Sequence, residues 1–287
     1  MMKLLITGAY GQLGNELRMA LIRYPQLQSV FTDVDTLDIC DKVALNAFVC
    51  EHKPHVLVNC AAYTAVDKAE DDVSLCYKIN SDAVRNLGEV AQEHGLKIIH
   101  ISTDYVFDGT SHVPYTEDMP TSPNTVYGKS KLAGERELLQ ACPDALILRT
   151  AWLYSGFGNN FVKTMLRLCA ERPQMRVIFD QIGTPTYAAD LAGAILQILT
   201  ADKFVPGIYH FTNEGVCSWY DFAKVIVKMA NISCDIVPIE SKDYAVRTPR
   251  PHYSVLNKSK LKAVYGIKIP YWMDGLERCL KVLLAEK

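Results

Sequence analysis

Lys3-Leu4-Leu5-Ile6-Thr7-Gly8-Ala9-Tyr10-Gly11-Gln12-Leu13-Gly14 is the stretch on which the fold turns. Its apolar opening, Lys3 to Thr7, reads as a buried strand. Past the glycines, Leu13, Leu17, Ala20 and Leu21 recur at helical spacing, which predicts a helix from Gln12 to about Ile22. A glycine turn between strand and helix suits a dinucleotide. Gly8 allows the tight turn, Gly11 lets backbone approach a pyrophosphate, and Gly14 lets helix and strand pack closely. The helix N-terminus then offers unpaired N–H groups to phosphate, with Gln12 and Leu13 in its first turn. A glycine-rich turn can also be no more than a turn, so the strand before and the helix after carry the reading.

Outward from there, short apolar runs alternate with helix-period segments. Strands are expected at Val30–Asp33, His55–Asn59, Lys97–Ser102 and Ala145–Arg149. Ala44, Leu45, Phe48 and Val49 mark a helix ending before Pro54. Asp71-Asp72 opens a long helix, with Ile79, Ala83, Leu87 and Ala91 every fourth residue, which Gly95 stops. Such alternation implies right-handed βαβ crossovers. The expected class is therefore α/β, a Rossmann-type doubly wound parallel sheet with a smaller C-terminal α/β substrate-binding lobe. The dinucleotide-binding domain is expected over 1–155, rejoined by parts of 185–215. The smaller lobe is expected mainly over 156–287, intertwined with the first.

Composition narrows the function classes. Thirty basic against 32 acidic side chains give a net charge of -2 with no basic stripe, so nucleic acid is not an expected partner. No run approaches the ~20 apolar residues of a membrane helix, and Leu4–Ile6 is too short for a signal peptide. Nine cysteines without a Cys-x-x-Cys pair suggest a reducing compartment, with the cytoplasm as the default location. The histidines lack metal-ligand spacing, so no metal site is expected.

Asp33 closes the second strand where an acid would accept from an adenosine ribose hydroxyl; the alternative is a helix cap or loop carboxylate. Asp38-Ile39 could flank the adenine. Asp33 leans towards NADH, without excluding NADPH. Asn59-Cys60-Ala61-Ala62 leaves the third strand with small residues, over which a cofactor could pass, or which simply pack tightly. Asn80 is a poor helix former, hence either a buried anchor or an exposed position.

The fourth strand delivers Thr103, and Tyr127-Gly128-Lys129-Ser130-Lys131 follows on a helix after Pro123. Residues four apart share a helix face, so Tyr127 and Lys131 can address one site. That spacing arises about once by chance in such a chain, and Tyr220 and Lys224 repeat it, so context decides. A phenol of pKa about 10 is a poor proton carrier near neutrality, and an ammonium about 5 Å away would lower it by about two units. Thr103 would hold the substrate oxygen, Tyr127 would exchange the proton, and Lys131 would tune Tyr127 and bind the nicotinamide ribose.

Together these residues resemble the extended short-chain dehydrogenase/reductase family. Longer stretches are similar to its dTDP-4-dehydrorhamnose reductase branch: Val58–Glu70, Ser102–Gly109, Tyr127–Glu135, Arg149–Tyr154 and Gly158–Met165. The resemblance implies hydride reduction, by NADPH or NADH, of the C4 ketone of a dTDP-4-keto sugar for surface polysaccharide synthesis. It implies cofactor contacts at Gly11, Gln12, Leu13, Asp33, Asp38, Ile39, Ala62, Tyr63 and Thr64. It implies sugar-nucleotide contacts at Thr103, Asp104, Trp152 and Arg250. Some relatives are described as homodimers bridged by magnesium; Glu16 suits one ligand, but Ala189 stands where another acid would be expected.

Two other functions remain open. Related dehydratases carry Thr-Asp-Glu, against Thr103-Asp104-Tyr105 here, although another 4-keto-sugar reductase or an epimerase fits. A non-catalytic regulatory subunit, like that of methionine adenosyltransferase, shares the fold; the set Thr103, Tyr127 and Lys131 argues against it.

Overall fold

β1 (Met2–Thr7) runs into Gly8 and α1 (Gln12–Leu21), and the chain then builds β2 (Leu27–Thr32), α2 (Lys42–His52) and β3 (Val56–Asn59). The computed structural model describes residues 1–245 and 247–285. After β3 come the short helices α3 (Val66–Ala69) and α4 (Val73–Tyr77), a π-helical turn at Lys78–Asp82, and α5 (Ala83–Glu93). β4 (Lys97–Thr103), α6 (Val126–Ala141) and β5 (Leu146–Thr150) complete the first half. The single long helix expected from Asp71 to Gly95 thus runs without a break from Val73 to Glu93, but carries a π-turn. The π-turn is centred on Asn80, whose side chain bonds out of the helix. β2 also begins three residues earlier than its apolar run suggested, leaving Asp33 just beyond its end.

The second half is less regular. β6 (Leu153–Tyr154), α7 (Phe161–Glu171), β7 (Gln174–Ile178), β8 (Ile182–Gly183) and β9 (Thr186–Tyr187) precede α8 (Ala188–Thr200) and β10 (Gly207–His210). β11 (Cys217–Ser218), α9 (Trp219–Met229), β12 (Asp235–Ile239), α10 (Ser259–Tyr265) and α11 (Trp272–Ala285) follow.

The central sheet has the order β10-β5-β4-β3-β1-β2, parallel throughout. Strand order reverses between β1 and β3, the switch point where such sheets open a crevice at their carboxyl ends. One face packs Ile6, Val58 and Leu148 under α1 and α8, through Leu13, Leu17, Leu191 and Ile195. The other packs Leu5, Leu57 and Ile147 under α2, α5 and α6, through Leu45, Leu87 and Leu138. Because β10 and α8 follow β9 in sequence yet join the main sheet and its cover, the chain crosses between its two halves more than once. The smaller core gathers Tyr154, Met165, Phe222, Trp272 and Leu276 from α7, α9, α11 and the short strands. Among the described residues, no helix is long and apolar enough to cross a membrane.

Candidate active site

The glycine turn sits at the switch point. Gly8 has φ +66°, and a Cβ there would come within 2.5 Å of the Ala61 backbone nitrogen, so both its conformation and its contact with the chain leaving β3 require glycine. A Cβ at Gly14 would meet the Gly8 carbonyl at 2.5 Å. Gly11 is the N-cap of α1; it supplies no side-chain bond to the first helical N–H groups, and the first turn holds no acid. A turn packed too closely for side chains at Gly8 and Gly14, leading into helix N–H groups that no side chain caps, fits a dinucleotide pyrophosphate. Asp33 stands at its rim. Its Oδ2 accepts from Tyr10 N–H at 2.9 Å and its Oδ1 from Val34 N–H at 2.9 Å. Gln12 accepts at Oε1 from Asn160 Nδ2 at 3.0 Å, which ties the start of α1 to the loop before α7.

Other expected cofactor residues lie differently. Asp38 is exposed and closes its own turn by accepting from Cys40 N–H at 2.9 Å. The Ile39 side chain is packed into the core with Leu37 and Leu45. It is the apolar plug of the loop that leads into α2. Ala61, Ala62 and Tyr63 are partly buried and Thr64 is exposed. Tyr63 is fixed by Asn80, which takes its N–H at 2.9 Å and donates to its carbonyl at 3.0 Å. Asn80 Nδ2 also donates to Ser130 Oγ at 3.0 Å, so this buried anchor couples the strand-end loop to the residue before Lys131.

Thr103 ends β4, and its Oγ1 donates to Asp104 Oδ1 at 2.9 Å. Asp104 is buried, and burial pushes its carboxyl up to about 7, against the pull of the Thr103 hydroxyl. Its Oδ2 is buried without a hydrogen-bond partner among the described residues. Thr125 caps α6 by accepting from Gly128 N–H at 3.0 Å, which places Tyr127 in the first turn. The half-buried Tyr127 lies beside Thr103, with its ring edge-on to Tyr105 at 5.5 Å.

Lys131 is 2% exposed, and its Nζ donates to the Ile101 carbonyl at 2.7 Å. Burial lowers its ammonium to about 8, with Glu135 and Cys76 opposing. Burial also raises the Tyr127 phenol above its ordinary range, with the Thr103 hydroxyl opposing and Asp104 and Tyr105 adding to the rise. Loss of solvent thus acts on the Tyr127 phenol in the direction opposite to the lowering expected from an ammonium.

Trp152 follows β5 with φ +49°, a strained conformation for a large side chain, and stacks on Trp219 at 3.5 Å. A Cβ at Gly183 would strike both the Trp152 ring and Ser254 Oγ at 2.6 Å, so glycine there lets the two close together. The Ser254 hydroxyl also acts on Asp104, which joins Trp152 to the end of β4. Arg250 lies beside Tyr105 and pairs with Asp67 at 2.7 Å. With Tyr105, Asn124 and Thr125 it lines a small cleft at the carboxyl edge of the sheet. Glu16, of the right type for a metal ligand, is buried and accepts from Ser155 Oγ at 2.5 Å. No cluster of three or more potential metal-binding His, Cys, Asp or Glu occurs among the described residues. Tyr220 and Lys224 lie on α9, with Lys224 exposed.

Sequence reasoning missed two groups here. His100 contacts Lys131, and Glu135 holds a buried two-point pair with Arg149 at 2.9 and 2.7 Å while accepting from Ser102 Oγ at 2.5 Å. The one local signal for Glu135 is its spacing, an acid one helical turn beyond Lys131.

The sequence and the fold of this chain both have counterparts among known proteins. Residues 2–285 match the family described as RmlD substrate binding domain. The chain belongs to that family. Among relatives of this RmlD-family chain, a dTDP-4-dehydrorhamnose reductase of Aggregatibacter actinomycetemcomitans is 43% identical, over 96% of this chain and 98% of that protein. A dTDP-4-dehydrorhamnose reductase structure from Clostridium acetobutylicum superposes with a TM-score of 0.95 at 42% identity, covering 99% of this chain and 100% of that one. One from Bacillus anthracis, in complex with NADP, gives 0.94 at 39% identity, covering 98% and 100%.

Proposed function

We propose that this RmlD-family chain is an NADPH- or NADH-dependent dTDP-4-dehydrorhamnose reductase, which reduces the C4 ketone of dTDP-4-dehydro-β-L-rhamnose to give dTDP-L-rhamnose. The observation that carries the chemistry is the grouping of Thr103, Asp104 and Tyr127 at the carboxyl end of β4, with Lys131 buried behind them and the glycine cradle at the neighbouring switch point.

The nicotinamide cofactor, when bound, supplies the hydride. The cradle of Gly8, Gly11 and Gly14, with the first N–H groups of α1 at Gln12 and Leu13, would hold its phosphates. Asp33, with Ala61, Ala62, Tyr63 and Thr64 across the crevice, would border the rest. Thr103 Oγ1, which donates to Asp104 in the free protein, would turn its proton to the carbonyl oxygen of the sugar. Tyr127 would deliver its proton as the alkoxide develops. Its raised pKa suits this direction of reaction, because the phenol stays protonated, and so ready to donate, at neutral pH. Asp104 offers its unpaired Oδ2 to a sugar hydroxyl, and Trp152 and Arg250 would border the sugar and the nucleotide. Tyr105, where a dehydratase carries a second acid, leaves the site without the pair that eliminates water. The protein would work in the cytoplasm, as a monomer or a homodimer.

The test follows nicotinamide absorbance with synthesised dTDP-4-dehydrorhamnose. Wild type is expected to oxidise the reduced cofactor, and Tyr127→Phe to lose about 100-fold or more in kcat with cofactor affinity kept. A wild type inert with every 4-keto sugar nucleotide would point instead to a regulatory subunit. Unchanged kcat in Tyr127→Phe would remove the proton donor from the scheme.

A further inference from the structure

Behind Lys131 runs a buried chain of polar groups that the reaction scheme does not use. Thr7 Oγ1 donates to Asn59 Oδ1 at 2.7 Å, Asn59 Nδ2 meets His100 Nδ1 at 2.9 Å, and His100 Nε2 meets Lys131 Nζ at 3.3 Å. Asn59 and His100 are both fully buried. The chain starts at the end of β1, crosses β3 and β4, and ends on α6, so it links the cofactor cradle to the catalytic helix.

Its directions are fixed by one backbone group. Ala61 N–H can only donate, and it donates to Asn59 Oδ1 at 3.1 Å. The Asn59 amide is thereby oriented with Oδ1 towards Ala61 and Thr7 and with Nδ2 towards His100. A donor at Nδ2 requires a bare lone pair on His100 Nδ1. The imidazole must then carry its single proton on Nε2, and that N–H faces Lys131.

We infer that His100 is a positioning residue for Lys131, locked by Asn59 as the neutral Nε2–H tautomer so that its N–H points at Nζ and favours the amine form of the lysine. This deepens the reductase reading and rests on it. After Tyr127 gives its proton to the alkoxide, Lys131, four residues along the same face of α6, would restore it, and the amine left on Nζ would then accept from His100 Nε2–H. The Ile101 carbonyl holds Nζ in place in either form. The other groups that face Lys131 are Cys76 from α4 and Glu135 from α6 itself, and both favour the charged form. His100 is the neighbour that opposes them.

Two measurements test this. In wild-type protein labelled with 15N-histidine, long-range proton–nitrogen spectra should show one of the seven histidines, the one lost in His100→Gln, as an Nε2–H tautomer from pH 5 to 9. An Nδ1–H tautomer or a cation would overturn the inference, and this readout does not depend on turnover, so it stands apart from failure of the reductase reading. In the assay, His100→Asn keeps an acceptor for Asn59 but removes the donor to Lys131. It should move the alkaline limb of kcat upward by about one pH unit and lower kcat about tenfold, with KM for the cofactor kept. His100→Gln, whose amide nitrogen can reach the place of Nε2, should restore the limb and part of kcat. Asn and Gln variants that fold and lose kcat equally, with the limb unmoved, would reduce His100 to a packing residue.

Discussion

Tyr127, Lys131 and Asp104 titrate in ways set by how much water the fold removes from each. Lys131, lowered to about 8, is charged below that pH and neutral above it. Any step that needs its proton is therefore lost as pH rises through about 8. A kcat–pH profile should show that alkaline limb; a profile flat to pH 10 would mean that Lys131 gives up no proton in turnover. Asp104 has its folded pKa raised to about 7 from 3.8, so between those values the folded chain holds a proton that the unfolded chain has released. Stability should fall as pH rises through that window, by at most about 4 kcal/mol. Asp104→Asn stays neutral throughout and should flatten that part of the stability curve. Chemical denaturation of both proteins at pH 5 and pH 8 would show it, and an equal drop in the two would assign the dependence elsewhere. The residue types at this site could be read from the sequence, since Thr103 at a strand end and Tyr127 with Lys131 on one helix follow from local periodicity. The sign of the Tyr127 shift could not, because it depends on how far the fold buries the phenol, with Thr103 lowering it and Asp104 and Tyr105 raising it. His100 was hidden for the same reason, being joined to Asn59 and Lys131 only through tertiary contact.

At the scale of elements, the π-bulged helix before β4 shows what periodicity conveys and what it omits. Ile79, Ala83, Leu87 and Ala91 do announce a helix, and Ala83, Leu87 and Ala91 lie in the core. Nothing local announces the π-turn at Lys78–Asp82, because its cause is the side chain of Asn80 reaching Tyr63 and Ser130 across the fold. The same turn brings the Asn80 carbonyl against α6, where a Cβ at Gly134 would lie 1.9 Å from it. Gly134→Ala should therefore force α6 away from the π-turn and destabilise by about 2 kcal/mol or more. Asn80→Ala leaves the Tyr63 N–H unpaired and should cost about 1–3 kcal/mol. Because Tyr63 borders the proposed cofactor crevice, KM for NADPH should rise with it. Thermal melts and cofactor titrations of both variants would check this, and wild-type stability in Gly134→Ala would show that the close approach is not needed.

Across the whole molecule, two arginines on the loop after β12 reach back to the segment after β3. Arg247 makes a two-point pair with Asp71, and Arg250 pairs with Asp67. Neither partnership could be read from the sequence, because each spans more than 170 residues and joins opposite halves of the chain. The groups are substantially exposed apart from Arg250, so each pair should stabilise the fold by about 1 kcal/mol or less. Their larger effect should be geometric, since they draw the loop carrying Arg250 over the cleft that it shares with Tyr105 and Thr125. The double variant Asp67→Asn, Asp71→Asn should melt within a few degrees of wild type while KM for the sugar nucleotide rises severalfold. Salt should act likewise, because exposed pairs are screened over about 8 Å at physiological ionic strength. Wild-type KM should therefore climb towards that of the variant between low and high salt, while the variant stays nearly level. Parallel salt curves for the two proteins would mean that the salt effect belongs to the substrate phosphates, and that the clasp holds nothing the substrate needs.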